Sequence, residues 1–417
     1  MSRKTEVTPD SLAADVATQA AVVHAVRMAY GRLIAYLAAR TRDIAACEDA
    51  LSQAFASALE TWPVKGVPER PEAWLLTAAR NRLKDGYRRD KVRAEAMPTV
   101  MTLMDEAHSR DLPFPDERLK LMFVCAHPAI DESVRTPLML QTVLGLASER
   151  IASVFLIKPA TMAQRLSRAK AKIRDAGIAF EVPEVAELPA RLTPLLAAIY
   201  AAYGLGWGDY AGDASEGSLS SEAMDLASTL HDLMPLTPEL NGLLALIFYC
   251  EARKPARIRG SAYIALSDQD TSLWNWPLIH RANGLLNAAQ PLRQFGRYQL
   301  EAAIQSVHIR RGVTSVTDWA EIVVLYEGLL HYAPSLASRT GYAAALTEAG
   351  RAADGLAVLD AMDGERMRDY QPFWAVRAHI LARLGRKDEA HAAYERGIGL
   401  SRHNAQRDFL RGRQAKL

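Results

Sequence analysis

The chain has 417 residues, of which 49% are apolar and 24% charged, with a formal net charge of +2. That balance belongs to a folded protein of two to four domains and excludes disordered or collagen-like chains. Three cysteines far apart in sequence, Cys47, Cys125 and Cys250, suggest neither a metal knuckle nor a disulfide framework.

Strand signals are almost absent, while alanine- and leucine-rich segments with three-to-four spacing run throughout, so an all-α fold is expected. Residues 1–17 form an N-terminal tail without the apolar core of a secretory signal. No apolar run reaches the ~18 residues of a membrane span. A cytoplasmic protein is expected. The first helical block covers 18–93, with helices predicted over Thr18–Arg42 and Ile44–Thr61 and a third opening at Pro71. Two prolines and a glycine between Trp62 and Arg70 predict a loop there. Residues 94–115 lose periodicity and read as a linker, which fully extended reaches ~70 Å, or about 20 base pairs of duplex.

The second block covers 116–183. Its helices are predicted over Asp116–Ala126, Ser133–Leu144 and Ser148–Leu156; a turn at Ile157–Pro159 leads to a longer helix, Thr161–Ala176. A short helix, a tight turn and a basic helix fit a helix-turn-helix. From 184 to 417 the chain is helical again. Near its end Gly350-Arg351 recurs as Gly385-Arg386, 35 residues later, close to the tetratricopeptide period.

Charge is concentrated in two places. Arg80–Arg93 holds seven Lys/Arg against two acids, and Lys158–Arg174 holds six with none, whereas residues 184–417 are nearly balanced, with 24 Lys/Arg against 26 Asp/Glu. Two basic helices in a neutral chain read as two nucleic-acid footprints, although a solvated helix face is the plainer alternative for either alone. On the last helix of the second block, Met162, Leu166, Ala169 and Ile173 share one stripe and pack it down. Thr161, Gln164, Arg165, Arg168 and Lys172 cluster on an adjoining face. Gln164 and Arg165 suit paired hydrogen bonds to adenine and guanine edges; Arg168, Lys170, Lys172 and Arg174 suit phosphates. On the third helix of the first block, Arg80, Lys84 and Arg88 fall at four-residue steps, with Asn81 and Arg89 close by. Trp62, Lys65 and Trp74 lie near that stripe, and an exposed indole there would stack on an unpaired base, though core packing is the commoner fate of a tryptophan.

These residues carry a family resemblance. A three-helix block ending in Trp74-Leu-Leu-Thr-Ala-Ala-Arg-Asn81-Arg-Leu-Lys-Asp85, then a linker, then a basic helix-turn-helix, resembles the extracytoplasmic-function sigma factors of the sigma-70 superfamily. The resemblance is closest to the subgroup with a C-terminal tetratricopeptide-like extension, through Asp116–Pro128, Thr161–Lys170, Asp268-Gln269-Asp270 with Trp274, Tyr298–Ile304, and Thr317-Asp318-Trp319. It implies an RNA polymerase sigma factor. Region 2 (18–93) would capture the −10 element, region 4 (116–183) would read the −35 element, and the extension (184–417) would regulate in cis. Asp49, Gln53 and Phe55 match the pattern that docks on the polymerase clamp; the polymerase flap and promoter DNA are the other implied partners. No cofactor, metal or catalytic residue is implied. The chain departs from the subgroup at Cys125-Ala126, where paired cysteines are usual, at Thr271, where arginine is usual, and at 202–206, where an asparagine-containing motif is replaced.

Two rival readings are weaker. A conventional regulator with one helix-turn-helix and a sensing domain leaves the first block unused. An enzyme would use His231-Asp232 or the Asp268-Gln269-Asp270 cluster, yet no zinc, phosphate-loop or nucleophile motif accompanies them.

Overall fold

The computed structural model describes residues 29–89, 116–155, 157–184, 186–207, 214–362 and 364–417; the expected tail (1–17) and linker (94–115) lie outside the described residues. Apart from a small antiparallel hairpin, β1 (Ile258–Arg259) and β2 (Ala262–Tyr263), the regular structure described is helical, as the periodicity requires. The chain forms two compact units, Met1–Gly206 with Ser218–Ala223, and Trp207–Gly217 with Met224–Leu417.

Unit 1 begins with α1 (29–41), which buries Leu33, Ile34 and Leu37 completely. Arg42, at φ +56°, turns the chain, and the Asp43 carboxylate caps α2 (Ile44–Lys65) by accepting from the Ala46 N–H at 3.0 Å. Buried positions 44, 47, 51, 54, 58 and 62 keep helical spacing along all of α2. The helix therefore continues beyond the expected end at Thr61, and Trp62 and Lys65 belong to it rather than to a loop. Pro63 forfeits one hydrogen bond near the end of α2, a cost that burying the Trp62 indole offsets. Gly66, at φ +84°, then ends the helix, its N–H donating to the Trp62 carbonyl. Helix α3 (Pro71–Arg89) opens on the proline, as expected, and buries Leu75, Leu76, Ala79 and Leu83.

The second block contains α4 (Arg118–Cys125), α5 (Glu132–Thr142), α6 (Ser148–Val154) and α7 (Pro159–Asp175). Pro159 is the first residue of α7, not part of the turn. The next helix, α8 (Leu188–Trp207), also packs in unit 1 up to Gly206, although the sequence assigned it to the C-terminal domain. Arg191 reaches the Phe123 carbonyl at 3.5 Å and Glu187 at 2.6 Å, and Leu195, Ala198, Ile199 and Ala202 are fully buried. That cross-link to α4 is invisible to local periodicity.

Unit 2 takes the later part of α9 (Ala214–Leu233) and is built around α10 (Pro238–Arg253), which is buried without a break from Leu240 to Tyr249. Helices α11 (Trp276–Ala289) and α12 (Arg297–Thr314) pack on it. Glu239 of α10 caps α12, accepting from the N–H groups of Tyr298 at 3.0 Å and Gln299 at 3.2 Å, where a carboxylate also meets the positive end of the helix dipole. Helices α13 (Trp319–Tyr332), α14 (Leu336–Glu348), α15 (Ala352–Asp360), α16 (Gly364–Met367), α17 (Gln371–Arg383), α18 (Lys387–Leu400) and α19 (Asn404–Gln414) follow. The two Gly-Arg turns are equivalent. Gly350 (φ +84°) and Gly385 (φ +73°) let Arg351 and Arg386 donate back to Leu346 and Leu381 at 2.8 and 2.9 Å, closing α14 and α17 in the same way.

His308 on α12 stacks edge-on against Trp319, with ring centroids 5.3 Å apart. Burial, followed by the nearby Arg253 and Arg311 guanidinium groups, pulls its pKa down to about 4. A histidine depressed in the fold binds its proton more readily when unfolded, so unit 2 is fully stable with respect to it above pH ~6.5 and loses stability as pH falls towards 4. We expect a loss of about 2–3 kcal/mol across that window, read from denaturant midpoints. A His308→Phe variant with the same pH slope would show that another group is responsible.

Candidate nucleic-acid interface

Helix α7 keeps two faces apart. Met162, Leu166, Ala169 and Ile173 are buried, anchoring the helix on the layer formed with α5 and α6. Thr161, Gln164, Arg165, Arg168 and Lys172 are exposed, and Lys172 and Arg174 occupy the last turn, where cations suit the negative helix end. The short α6 buries Ile151 and Ala152 and packs on α7. Six of the seven side chains expected to meet DNA in this block, Arg174 among them, therefore reach solvent.

Lys170 is the exception. Its ammonium lies 2.5 Å from Glu48 Oε2 on α2 and 3.0 Å from Gln141 Oε1 on α5, with 11% of the side chain exposed. An ammonium committed to two internal acceptors is not a phosphate contact in this conformation; that expectation is corrected. The α7 wheel gave no warning, because the partner comes from a residue 122 positions away.

The first block needs more revision. Arg80, expected on the basic stripe, is 5% exposed; Nη2 donates to the Tyr36 hydroxyl at 3.3 Å, and the guanidinium lies 5.7 Å from the Tyr36 ring centroid. Arg40 covers the same ring at 3.5 Å. Arg80 is thus a core residue that positions α3 on α1, not a DNA contact. Trp62 is 1% exposed, its ring edge-on to Trp74 at 5.6 Å, so stacking on an unpaired base is excluded for it in this fold. Trp74 is half-buried, Lys84 is half-buried, and Asn81 and Lys65 are exposed. The side chains of Arg88 and Arg89 lie outside the described residues. Arg82, passed over by the four-residue pattern, is exposed beside Asn81, with Nη2 3.5 Å from Ser57 Oγ. The helix wheel did not single it out, because position 82 is two turns from Leu75 and adjoins the buried Leu75–Leu83 edge.

On α2, Asp49 and Gln53 share an exposed stripe with Ala56 and Glu60, and Phe55 is half-buried at the border of the core. Glu48 lies on that same border, two turns before Phe55. Burial raises the Glu48 pKa, Lys170 opposes the rise, and the Tyr30 hydroxyl hydrogen-bonds the carboxylate.

In unit 2, Gln269 is buried, its backbone carbonyl and that of Leu266 accepting from Arg311 at 3.1 and 3.0 Å. Asp270 caps a short turn by accepting from the Ser272 N–H at 2.9 Å. The Asp268-Gln269-Asp270 run is therefore a local bracing element. Among the described residues no group of three His, Cys, Asp or Glu stands close enough to hold a metal ion, and no helix is long and apolar enough to cross a membrane.

Comparison with known proteins agrees with the first block and spans both units. Residues 25–93 match sigma-70 region 2, and residues 191–290 match a family of unknown function, DUF6596. An uncharacterized protein of Rhizobium meliloti (strain 1021) is 34% identical over 401 residues, covering 94% of this chain and 93% of that protein. No solved structure matches. Over α1–α3 the chain thus carries a match to sigma-70 region 2, and as a whole it belongs to one family with the uncharacterized Rhizobium meliloti protein, which matches it almost end to end.

Proposed function

We propose that the protein is an RNA polymerase sigma factor of the extracytoplasmic-function type. In this reading 18–93 is region 2 and 116–183 is region 4, and the helical, tetratricopeptide-like remainder regulates activity in cis. The observation that carries the region 4 assignment is the exposed Thr161, Gln164, Arg165, Arg168 and Lys172 face of α7, set on a short helix and a turn. A basic helix presented in this way can enter a major groove, its first turns meeting base edges and its later cations meeting phosphates. In region 2, Asn81, Lys84, Lys65, Trp74 and the newly added Arg82 serve the −10 element, with Arg88 and Arg89 as further candidates from the sequence. Asp49, Gln53 and Phe55 serve the polymerase clamp, and the flap is the expected partner of region 4.

Reconstitution of the full chain with core polymerase on a promoter library tests the reading. Promoter-selective transcripts are expected, and failure to bind core polymerase would leave the conventional-regulator reading in its place. Arg165→Ala should cost about 1–3 kcal/mol of promoter affinity and relax preference at one upstream position. An equal loss on every promoter variant would make Arg165 a phosphate contact instead.

A further inference from the structure

We infer that the corner between α12 and α13 in unit 2 binds a small organic cation, an amine or guanidine carried on an apolar body. The inference goes beyond the sigma-factor reading and stands without it, since every residue it uses lies in unit 2. A cavity of about 520 Å³ opens where α12 turns into α13. That is the size of small-molecule sites, not of a crevice for one or two waters. The chain fixes its shape locally. Ser315 turns the end of α12 at φ +62°, and the Thr314 hydroxyl donates to the Val316 carbonyl at 2.8 Å, pinning the loop. Val307 of α12 is a buried part of the lining, and Trp319, braced by His308 at 5.3 Å, adds an aromatic wall. Val316 also lines the cavity, yet it is 69% exposed. An exposed valine beside an indole in a concave site is apolar surface that a ligand body would remove from water.

The charged groups decide the kind of ligand. One guanidinium, Arg310, and two carboxylates, Asp318 and Glu321, line the cavity, so one negative charge is in excess. Arg310 and Glu321 pair with each other, which leaves Asp318. Its Oδ1 caps α13 by accepting from the Glu321 N–H at 2.9 Å, and no cation among the described residues pairs with it. The neighbouring cations of α12 are engaged elsewhere or neutral. Arg311 donates to the Leu266 and Gln269 carbonyls, at 3.0 and 3.1 Å. His308, its pKa pulled down to about 4 by burial, carries no charge at neutral pH.

A carboxylate without a cationic partner, beside an indole, favours positive charge on the ligand. Charge-assisted hydrogen bonds to Asp318 are stronger than neutral ones, and the indole face attracts a cation while its edge packs on carbon. An anion would instead meet two carboxylates and a guanidinium that Glu321 already neutralises. A neutral ligand would use the apolar half of the cavity and leave Asp318 unpaired. A monocation with an apolar body satisfies both halves at once.

Titration calorimetry on the full chain tests the site with phenethylamine as the probe. Phenethyl alcohol and hydrocinnamate keep the apolar body and change the charge. Saturable binding of the amine, with neither of the others binding as well, is expected. Asp318→Asn keeps the helix cap, since asparagine caps as well as aspartate, and should weaken the amine by about tenfold or more. Trp319→Leu should weaken it by about three- to tenfold. Arg310→Met removes the one cation of the lining and releases Glu321 to the ligand, so the amine should bind more tightly. Both members of that pair are partly exposed, so the fold should be little affected. A site for anions predicts the reverse. Nα-acetyl-lysine amide, which imitates a lysine on a partner protein, should bind more weakly than phenethylamine. No binding of the amine, equal binding of the alcohol, preference for the acid, unchanged affinity in Asp318→Asn or weaker binding in Arg310→Met would each overturn the inference. Tighter binding of the lysine amide would make the occupant a protein side chain and overturn the small-molecule assignment.

Discussion

Trp62→Ala is expected to destabilise unit 1 by about 3–5 kcal/mol, because it empties a site that the surrounding helices cannot fill. The indole is 1% exposed, closes the buried stripe of α2, and meets Trp74 edge-on at 5.6 Å. Its removal leaves a cavity, uncovers one flank of Trp74 and takes away the burial that offsets Pro63 in the helix. Promoter binding should fall in step with the fraction of folded protein and show no new sequence preference. Chemical denaturation followed by tryptophan fluorescence measures the change, with Trp74→Ala as the comparison, since a half-buried indole has less to lose. If Trp62→Ala kept its unfolding midpoint but failed to open promoters, the indole would be a nucleic-acid contact after all and its burial would have to be relieved on binding.

Gly242→Ala is expected to destabilise unit 2, despite the better helix propensity of alanine. A Cβ on Gly242 would lie 2.5 Å from the Gln299 nitrogen and 2.8 Å from its Cα, so the obstruction is backbone, which no rotamer change relieves. Alanine for glycine within an isolated helix gains up to about 1 kcal/mol, whereas forcing one methyl into a close-packed contact costs typically about 1–3 kcal/mol or more. The contact joins α10 to the first turn of α12, whose N–H groups are capped by Glu239 three residues earlier on α10. A shift that accommodates the methyl must therefore also pull the carboxylate from its two donors. The expected net loss is about 2–4 kcal/mol in the stability of unit 2. Gly284→Ala on α11, where nothing lies within 4 Å of an added Cβ, is the control and should be neutral or stabilising. A Gly242→Ala protein as stable as the wild type would mean that α10 and α12 approach less closely in solution.

Apart from Lys170, the buried and exposed positions of residues 161–173 follow the helix wheel, because an amphipathic helix on a single layer is described by its own 3.6-residue period. The Gly-Arg turns at 350 and 385 were legible for a similar reason: a left-handed closing residue is a local demand that glycine meets. Trp62 was misplaced although its signal was present, since position 62 continues the stripe 44, 47, 51, 54, 58. Pro63 and Pro68 point to a loop, and in the fold the burial of the indole outweighs that local signal.

The sequence by itself determined the helical class, nearly every helix of the second block, the α7 surface and the repeat of its closing turns, all of which follow from interactions within four residues. Tertiary structure decided the fates of Arg80 and Lys170, the attachment of α8 to unit 1, and the approach of α1 to α5 at Gly31. In each of those cases the deciding partner is distant along the chain: Tyr36, Glu48, Phe123 and Val143. A cation at a helix border points to water or inwards according to what waits across the interface, and a helix period carries no record of that neighbour.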